Sequence, residues 1–114
     1  MREYEIDHDT LIGGWYMPEE VCDSVIDVFN SKQDRLVDGV VSQGVKPEWK
    51  KCRELFLPSN EFGEIPEYLK NLSVCLNLYK ERYPFCDEVG VYSLRDDNIK
   101  IQHYMPGDGF YKWH

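Results

Sequence analysis

Close-spaced cysteine pairs, long basic runs and long apolar runs are all missing from this chain, and each absence closes off a class of function. The four cysteines, Cys22, Cys52, Cys75 and Cys86, are scattered. None stands in the CxxC spacing by which zinc sites declare themselves, and three lie inside apolar patterns, where a free thiol behaves as a small hydrophobe. Adding His8, His103 and His114 produces no ligand spacing for a structural metal. Acidic residues outnumber basic ones by 21 to 13, for a net charge of −8. Such a field repels phosphate backbones, so non-specific nucleic-acid binding is not expected. The most basic stretch, "KPEWKKCR" at 46–53, reads as a solvated loop and strand edge. No apolar run approaches the ~20 residues that span a bilayer, and the N-terminal "MREYEIDHDT" lacks the apolar centre of a secretory signal. A cytoplasmic setting with free thiols is expected, and no membrane partner.

Internal repeats, low-complexity tracts and Pro-, Gly- or Ser-rich linkers are absent too, so residues 1–114 read as one domain. Aromatic residues are plentiful, with eight Tyr and three Trp, and their first use is core packing.

Residues 2–6 and 11–17 each suit a short strand, the second loosened by Gly13 and Gly14. Pro18 then opens a helix, with Glu19 and Glu20 at its positive end. Val21, Cys22, Val25, Ile26 and Phe29 follow at helical spacing. The polar stretch 31–50 allows either a strand pair or an irregular loop. "CRELFLP" reads as a strand ending at Pro58, and "SNEFGE" as a loop. A second amphipathic helix follows, because Ile65, Tyr68, Leu69, Leu72, Cys75, Leu76, Tyr79 and Tyr83 recur at three- and four-residue steps between Pro66 and Pro84. A strand is expected at 87–94 and a turn at 95–98. In "IKIQHYM", Ile99, Ile101 and His103 alternate with Lys100, Gln102 and Tyr104, the period of a two-faced strand. The order of elements predicts an α+β fold with helices packed on one side of a sheet.

The last fourteen residues, "IQHYMPGDGFYKWH", carry the chemistry. Pro106 and Gly107 suit the centre of a type II turn. That turn should bring two strands together, the second being "FYKWH", on which Phe110, Lys112 and His114 share one face. A terminal imidazole can equally be a half-buried polar contact or face water.

Taken with "WYMPEEVCDSVIDVF" upstream, this ending resembles the prolyl-4-hydroxylase-like group of 2-oxoglutarate and Fe(II)-dependent dioxygenases. In that group a strand carrying Gln and Tyr is followed by Pro-Gly, an aromatic pair and a His-x-Asp or His-x-Glu motif. Gln102, Tyr104, Pro106, Gly107, Gly109, Phe110, Tyr111 and His114 stand where those elements would. The resemblance implies helices packed on a sheet that begins a double-stranded β-helix, or jelly-roll, barrel. It implies Fe(II) as cofactor and 2-oxoglutarate as cosubstrate, with oxidative decarboxylation coupled to hydroxylation of a C–H bond in a peptide or small molecule. His114 becomes the first metal ligand, and Tyr104 a hydrogen-bond donor to a 2-oxoglutarate carboxylate, or else a packed barrel tyrosine. Gln102 and Tyr111 become further pocket residues.

The expected acidic ligand two residues beyond His114, the distal His, and the basic residue that would pair with 2-oxoglutarate are not in the sequence. The chain therefore reads as an N-terminal portion of such an enzyme, inactive by itself, with exposed strand edges that favour self-association. The alternative is a small acidic, non-enzymatic binding module that pairs a partner strand to its open sheet edge.

Overall fold

The computed structural model describes residues 1–88 and 98–113, and shows a mixture of helices and small antiparallel sheets, as an α+β chain requires. The residues cluster into two compact units, one of residues 1–28 and 62–96, the other of residues 29–61 and 97–114. The expected strand at 87–94 and turn at 95–98 fall almost wholly outside the described residues. Only Asp87 and Glu88, which end a helix, and Asn98, which opens a strand, are described. Among the described residues no helix is long and apolar enough to cross a membrane.

In the first unit, β1 (Arg2–Glu3) pairs antiparallel with β2 (Trp15–Tyr16), shorter than the strands that the sequence suggests. Helix α1 (Glu19–Ser31) begins one residue after Pro18, whose carbonyl accepts from the Val21 and Cys22 amides at 3.0 and 3.2 Å. Val21 and Phe29 are buried, whereas Cys22 and Ile26, one step round the helix, are exposed. The apolar face is thus narrower in burial than in sequence. Helix α2 (Pro66–Arg82) starts as expected, with Ile65 capping it from an almost fully buried position, 1% exposed. It ends at Tyr83, whose amide still reaches the Tyr79 carbonyl at 2.9 Å. Pro84 ends α2 as anticipated and begins α3 (Pro84–Glu88), which suits a residue whose missing N–H costs nothing at a helix start. Two tyrosines of α2 and its cap hold the N-terminal segment: Tyr79 donates to the Leu11 carbonyl at 2.6 Å and Tyr83 to that of Ile12 at 3.3 Å. The chain must pass close at Gly13, where a Cβ would sit 2.8 Å from the Trp15 ring.

In the second unit, the stretch that allowed strands or loop contains both. A 3-10 turn at Gln33–Arg35 leads into β3 (Val37–Asp38), β4 (Val40–Val41), β5 (Gly44–Val45) and β6 (Lys50–Lys51). Then come β7 (Arg53–Pro58), β8 (Asn98–His103) and β9 (Gly109–Phe110). "SNEFGE" is 3-10 helical instead of irregular. The central sheet has the order β3-β7-β8, with all pairings antiparallel. β7 and β8 match over six residue pairs, from Arg53 opposite His103 to Pro58 opposite Asn98.

That register sorts the side chains, because residues directly opposite share a face and neighbours along a strand do not. Leu55 and Leu57, both at 0% exposure, lie opposite Ile101 and Ile99. Arg53 and His103 continue that face. Glu54 and Phe56 lie opposite Gln102 and Lys100 on the other. By the same alternation Cys52 and Tyr104 belong to the second face.

The Pro-Gly turn forms as anticipated: Gly107 has φ +90°, and the Asp108 amide donates to the Met105 carbonyl at 2.8 Å. Its outcome differs from expectation. β9 does not fold back on β8 but pairs with β6, Phe110 opposite Lys50 and Gly109 opposite Lys51. Contacts at the turn accompany this pairing. Asp108 accepts from the Met105 amide at 3.1 Å and pairs with Lys51 at 3.0 Å, which ties the exit of the turn to β6. Regular strand also stops at Phe110, and Trp113 is wholly exposed.

Candidate functional site

The polar face of the β7–β8 pair is built around one carboxylate. Glu54, the second residue of β7, has no exposed surface, a placement that costs several kcal/mol for a charge unless every lone pair is met. They are met. Its Oε1 takes a very short hydrogen bond from Lys50 Nζ, one of 2.7 Å from Gln102 Nε2 and a 3.8 Å contact from the Cys52 thiol. Its Oε2 accepts from the Val40 amide at 3.4 Å and faces Lys100 Nζ at 3.7 Å. Burial pushes the Glu54 carboxyl upward, but the hydrogen bonds from Lys50 and Gln102 and the charge of Lys100 outweigh it and hold the group below the usual glutamate range. Glu54 is therefore an anion at neutral pH.

Lys50 itself is 5% exposed and also donates to the Val40 carbonyl at 3.4 Å. This corrects, at Lys50, the reading of "KPEWKKCR" as a solvated loop and strand edge: Lys50 is buried, while Lys51 next to it is exposed. Glu54 and Lys50 are the two site residues that sequence reasoning missed. The available signal was the alternation in "CRELFLP", which sets Glu54 on the strand face opposite that of Leu55 and Leu57.

Tyr104 stands past the end of β8 on the Glu54 side, 38% exposed. Burial, the Cys52 thiol beside it and the Glu54 charge all push its hydroxyl above the ordinary tyrosine value, so it stays protonated and can donate. Cys52 is 4% exposed and its thiol is likewise pushed up, chiefly by burial, so it is a poor nucleophile. Gln102 shares the face with Tyr104, its amide nitrogen committed to Glu54. Tyr111 lies elsewhere: its hydroxyl donates to the Gly107 carbonyl at 2.7 Å and its amide to the Trp49 carbonyl at 2.7 Å, so it braces the turn from β9. The structure thus brings Gln102 and Tyr104 together and places Tyr111 at the turn. His114 lies outside the described residues.

The two nearby ammonium groups are engaged by Glu54, and the Tyr104 hydroxyl is hydrogen-bonded with the Cys52 thiol, so an incoming carboxylate would have to take the Tyr104 donor from Cys52. Among the described residues no group of three His, Cys, Asp or Glu side chains is placed to hold a metal ion. His103, on the same strand, projects to the opposite face, where its ring meets that of Phe29 edge-on at 5.4 Å. Compared with known proteins, the chain matches no protein-family model, no curated protein and no solved structure.

Proposed function

We propose that this chain is the N-terminal portion of a 2-oxoglutarate and Fe(II)-dependent dioxygenase of the prolyl-4-hydroxylase-like group, with β7 and β8 among the first strands of its jelly-roll barrel. One observation carries the reading. Gln102 and Tyr104 leave the chain on the same polar face, immediately before a Pro-Gly turn in which Gly107 takes the left-handed conformation. When bound in the complete site, the metal and its cosubstrate supply oxygen activation coupled to decarboxylation. The residues of this chain bind and orient. The protonated Tyr104 hydroxyl donates to a cosubstrate carboxylate, Glu54 fixes the Gln102 amide beside it, and Tyr111 holds the turn through Gly107. His114 is assigned as a metal ligand from the motif, in a cytoplasmic enzyme acting on a peptide or small molecule.

The source gene provides the test. Read past codon 114, it should encode Asp or Glu two residues after His114, and later a His followed closely by Arg or Lys. The product of that gene should consume 2-oxoglutarate in the presence of Fe(II), with a raised KM for 2-oxoglutarate in Tyr104→Phe. An unrelated continuation, or a stop codon in an intact gene, defeats the proposal.

A second reading rests on β8, which has β7 on one side and, among the described residues, no strand on the other. Such an edge suits a small acidic module that captures a partner strand or a second copy of itself. A stop codon directly after codon 114 in an intact gene, together with a cooperative melting transition and a monodisperse complex or homodimer, would favour this reading over the first.

A further inference from the structure

The apolar face of the central sheet carries a second feature at its Arg53–His103 end, where a cleft of about 400 Å³ opens. It is open to solvent and large enough in volume to admit a small molecule. Phe29, Leu36 and Met105 supply apolar wall, and Arg53, His103 and Gln33 supply polar groups. Arg53 and His103 are direct cross-strand partners, so their heads are delivered side by side by the most extensive strand pairing in the unit.

The guanidinium is only partly engaged. Arg53 Nη2 donates to the Leu36 carbonyl at 3.1 Å, and Nη1 is 3.5 Å from Asp38 Oδ1, longer than a good charge-assisted bond. The Asp38 side chain is 67% exposed, so it is a loosely held counter-ion. The His103 ring rests edge-on against Phe29, and Phe29 itself is 6% exposed, which gives the ring a firm seat. Gln33 is held in place by donating to the Phe29 carbonyl at 3.2 Å.

We infer that this cleft binds a small organic carboxylate, with the carboxylate on Arg53 and His103 and the hydrocarbon body against Phe29, Leu36 and Met105. The planar fork of Arg reads a carboxylate through two parallel N–H bonds, and the ring N–H adds a third donor. A ligand carboxylate would take the place of Asp38, the weaker of the two partners of the guanidinium. The overall charge of −8 opposes any anion and does so more strongly for a doubly charged phosphate than for a monocarboxylate, so the singly charged ligand is favoured at a site with one Arg. An apolar body is required because the wall opposite the cations is made of Phe, Leu and Met side chains. The site lies on the opposite sheet face from Gln102 and Tyr104 and does not depend on the oxygenase reading.

Benzoate, inorganic phosphate and benzyl alcohol, titrated separately into the full chain, test the three parts of this claim. The readouts are the His103 ring and Arg53 Nε–H signals in the NMR spectrum. Benzoate should shift both signals saturably, and the other two should not. Arg53→Gln should weaken benzoate binding roughly tenfold, the effect of losing charge-assisted hydrogen bonds. Asp38→Asn, an exposed change that leaves the sheet intact, should strengthen binding by removing the competing carboxylate. The inference is overturned if phosphate or benzyl alcohol binds as well as benzoate, if none of the three binds saturably, or if Asp38→Asn weakens benzoate binding while the chain stays folded.

Discussion

Replacing Glu54 by Gln preserves the shape of the side chain and removes its charge, which isolates what the buried carboxylate contributes. In the parent, Lys50 at 5% exposure is neutralised by Glu54 at 0%. In Glu54→Gln the ammonium stays buried without a counter-ion, and an amide N–H₂ faces either Lys50 or the Gln102 amide. Removing one partner of a buried pair costs roughly 3–5 kcal/mol, mostly as the desolvation of the stranded charge. With a urea dependence of roughly 1–3 kcal/mol per molar, the unfolding midpoint should fall by about 1–5 M. The assay is urea unfolding followed by circular dichroism and by the fluorescence of Trp49, the immediate neighbour of Lys50 and the ring over which Lys112 Nζ sits at 5.5 Å. The double replacement Lys50→Met with Glu54→Leu removes both charges and should return stability to within roughly 1 kcal/mol of the parent or above it. A loss below about 1 kcal/mol in Glu54→Gln would place the pair with solvent-screened surface ion pairs and refute the reasoning.

The same carboxylate predicts an acid limb of stability. Because the folded state holds Glu54 below its ordinary value of about 4.3, the stability it contributes is fully present above that pH and is lost as pH falls through the lowered value; Glu54→Gln should flatten this limb in an acid titration followed by circular dichroism. Gly39→Ala should cost about 1–3 kcal/mol in urea unfolding, since the new Cβ would lie 2.7 Å from Cys52 Sγ in a buried position; no change would mean that β3 shifts freely. Gly107→Ala should cost about 1–2 kcal/mol through its φ of +90°, with no contact to relieve, and an unchanged melting temperature would show that the turn relaxes.

Much of the local structure was legible because its causes are local. The three- and four-residue steps from Ile65 to Tyr83, bracketed by Pro66 and Pro84, marked α2. Alternation in "IKIQH" marked β8, and Pro106–Gly107 marked a turn whose second central position favours glycine. The two faces of β8 were readable in advance, which put Gln102 and Tyr104 together before any coordinates did.

Other features depended on which distant segments meet. Nothing in "FYKWH" revealed that β9 would pair with β6 and not β8, since the partner strand and the Asp108–Lys51 pair that accompanies it come from a segment about sixty residues earlier. Nothing in "KPEWKKCR" separated an inward Lys50 from an outward Lys51 until β7 placed Glu54 within reach. Spacing along single segments was enough to read α1, α2, the alternation of β8 and the Pro-Gly turn. Where the charge is buried and who neutralises it emerged with the fold, because an ion in a protein interior is tolerated only when residues from separate segments converge on it.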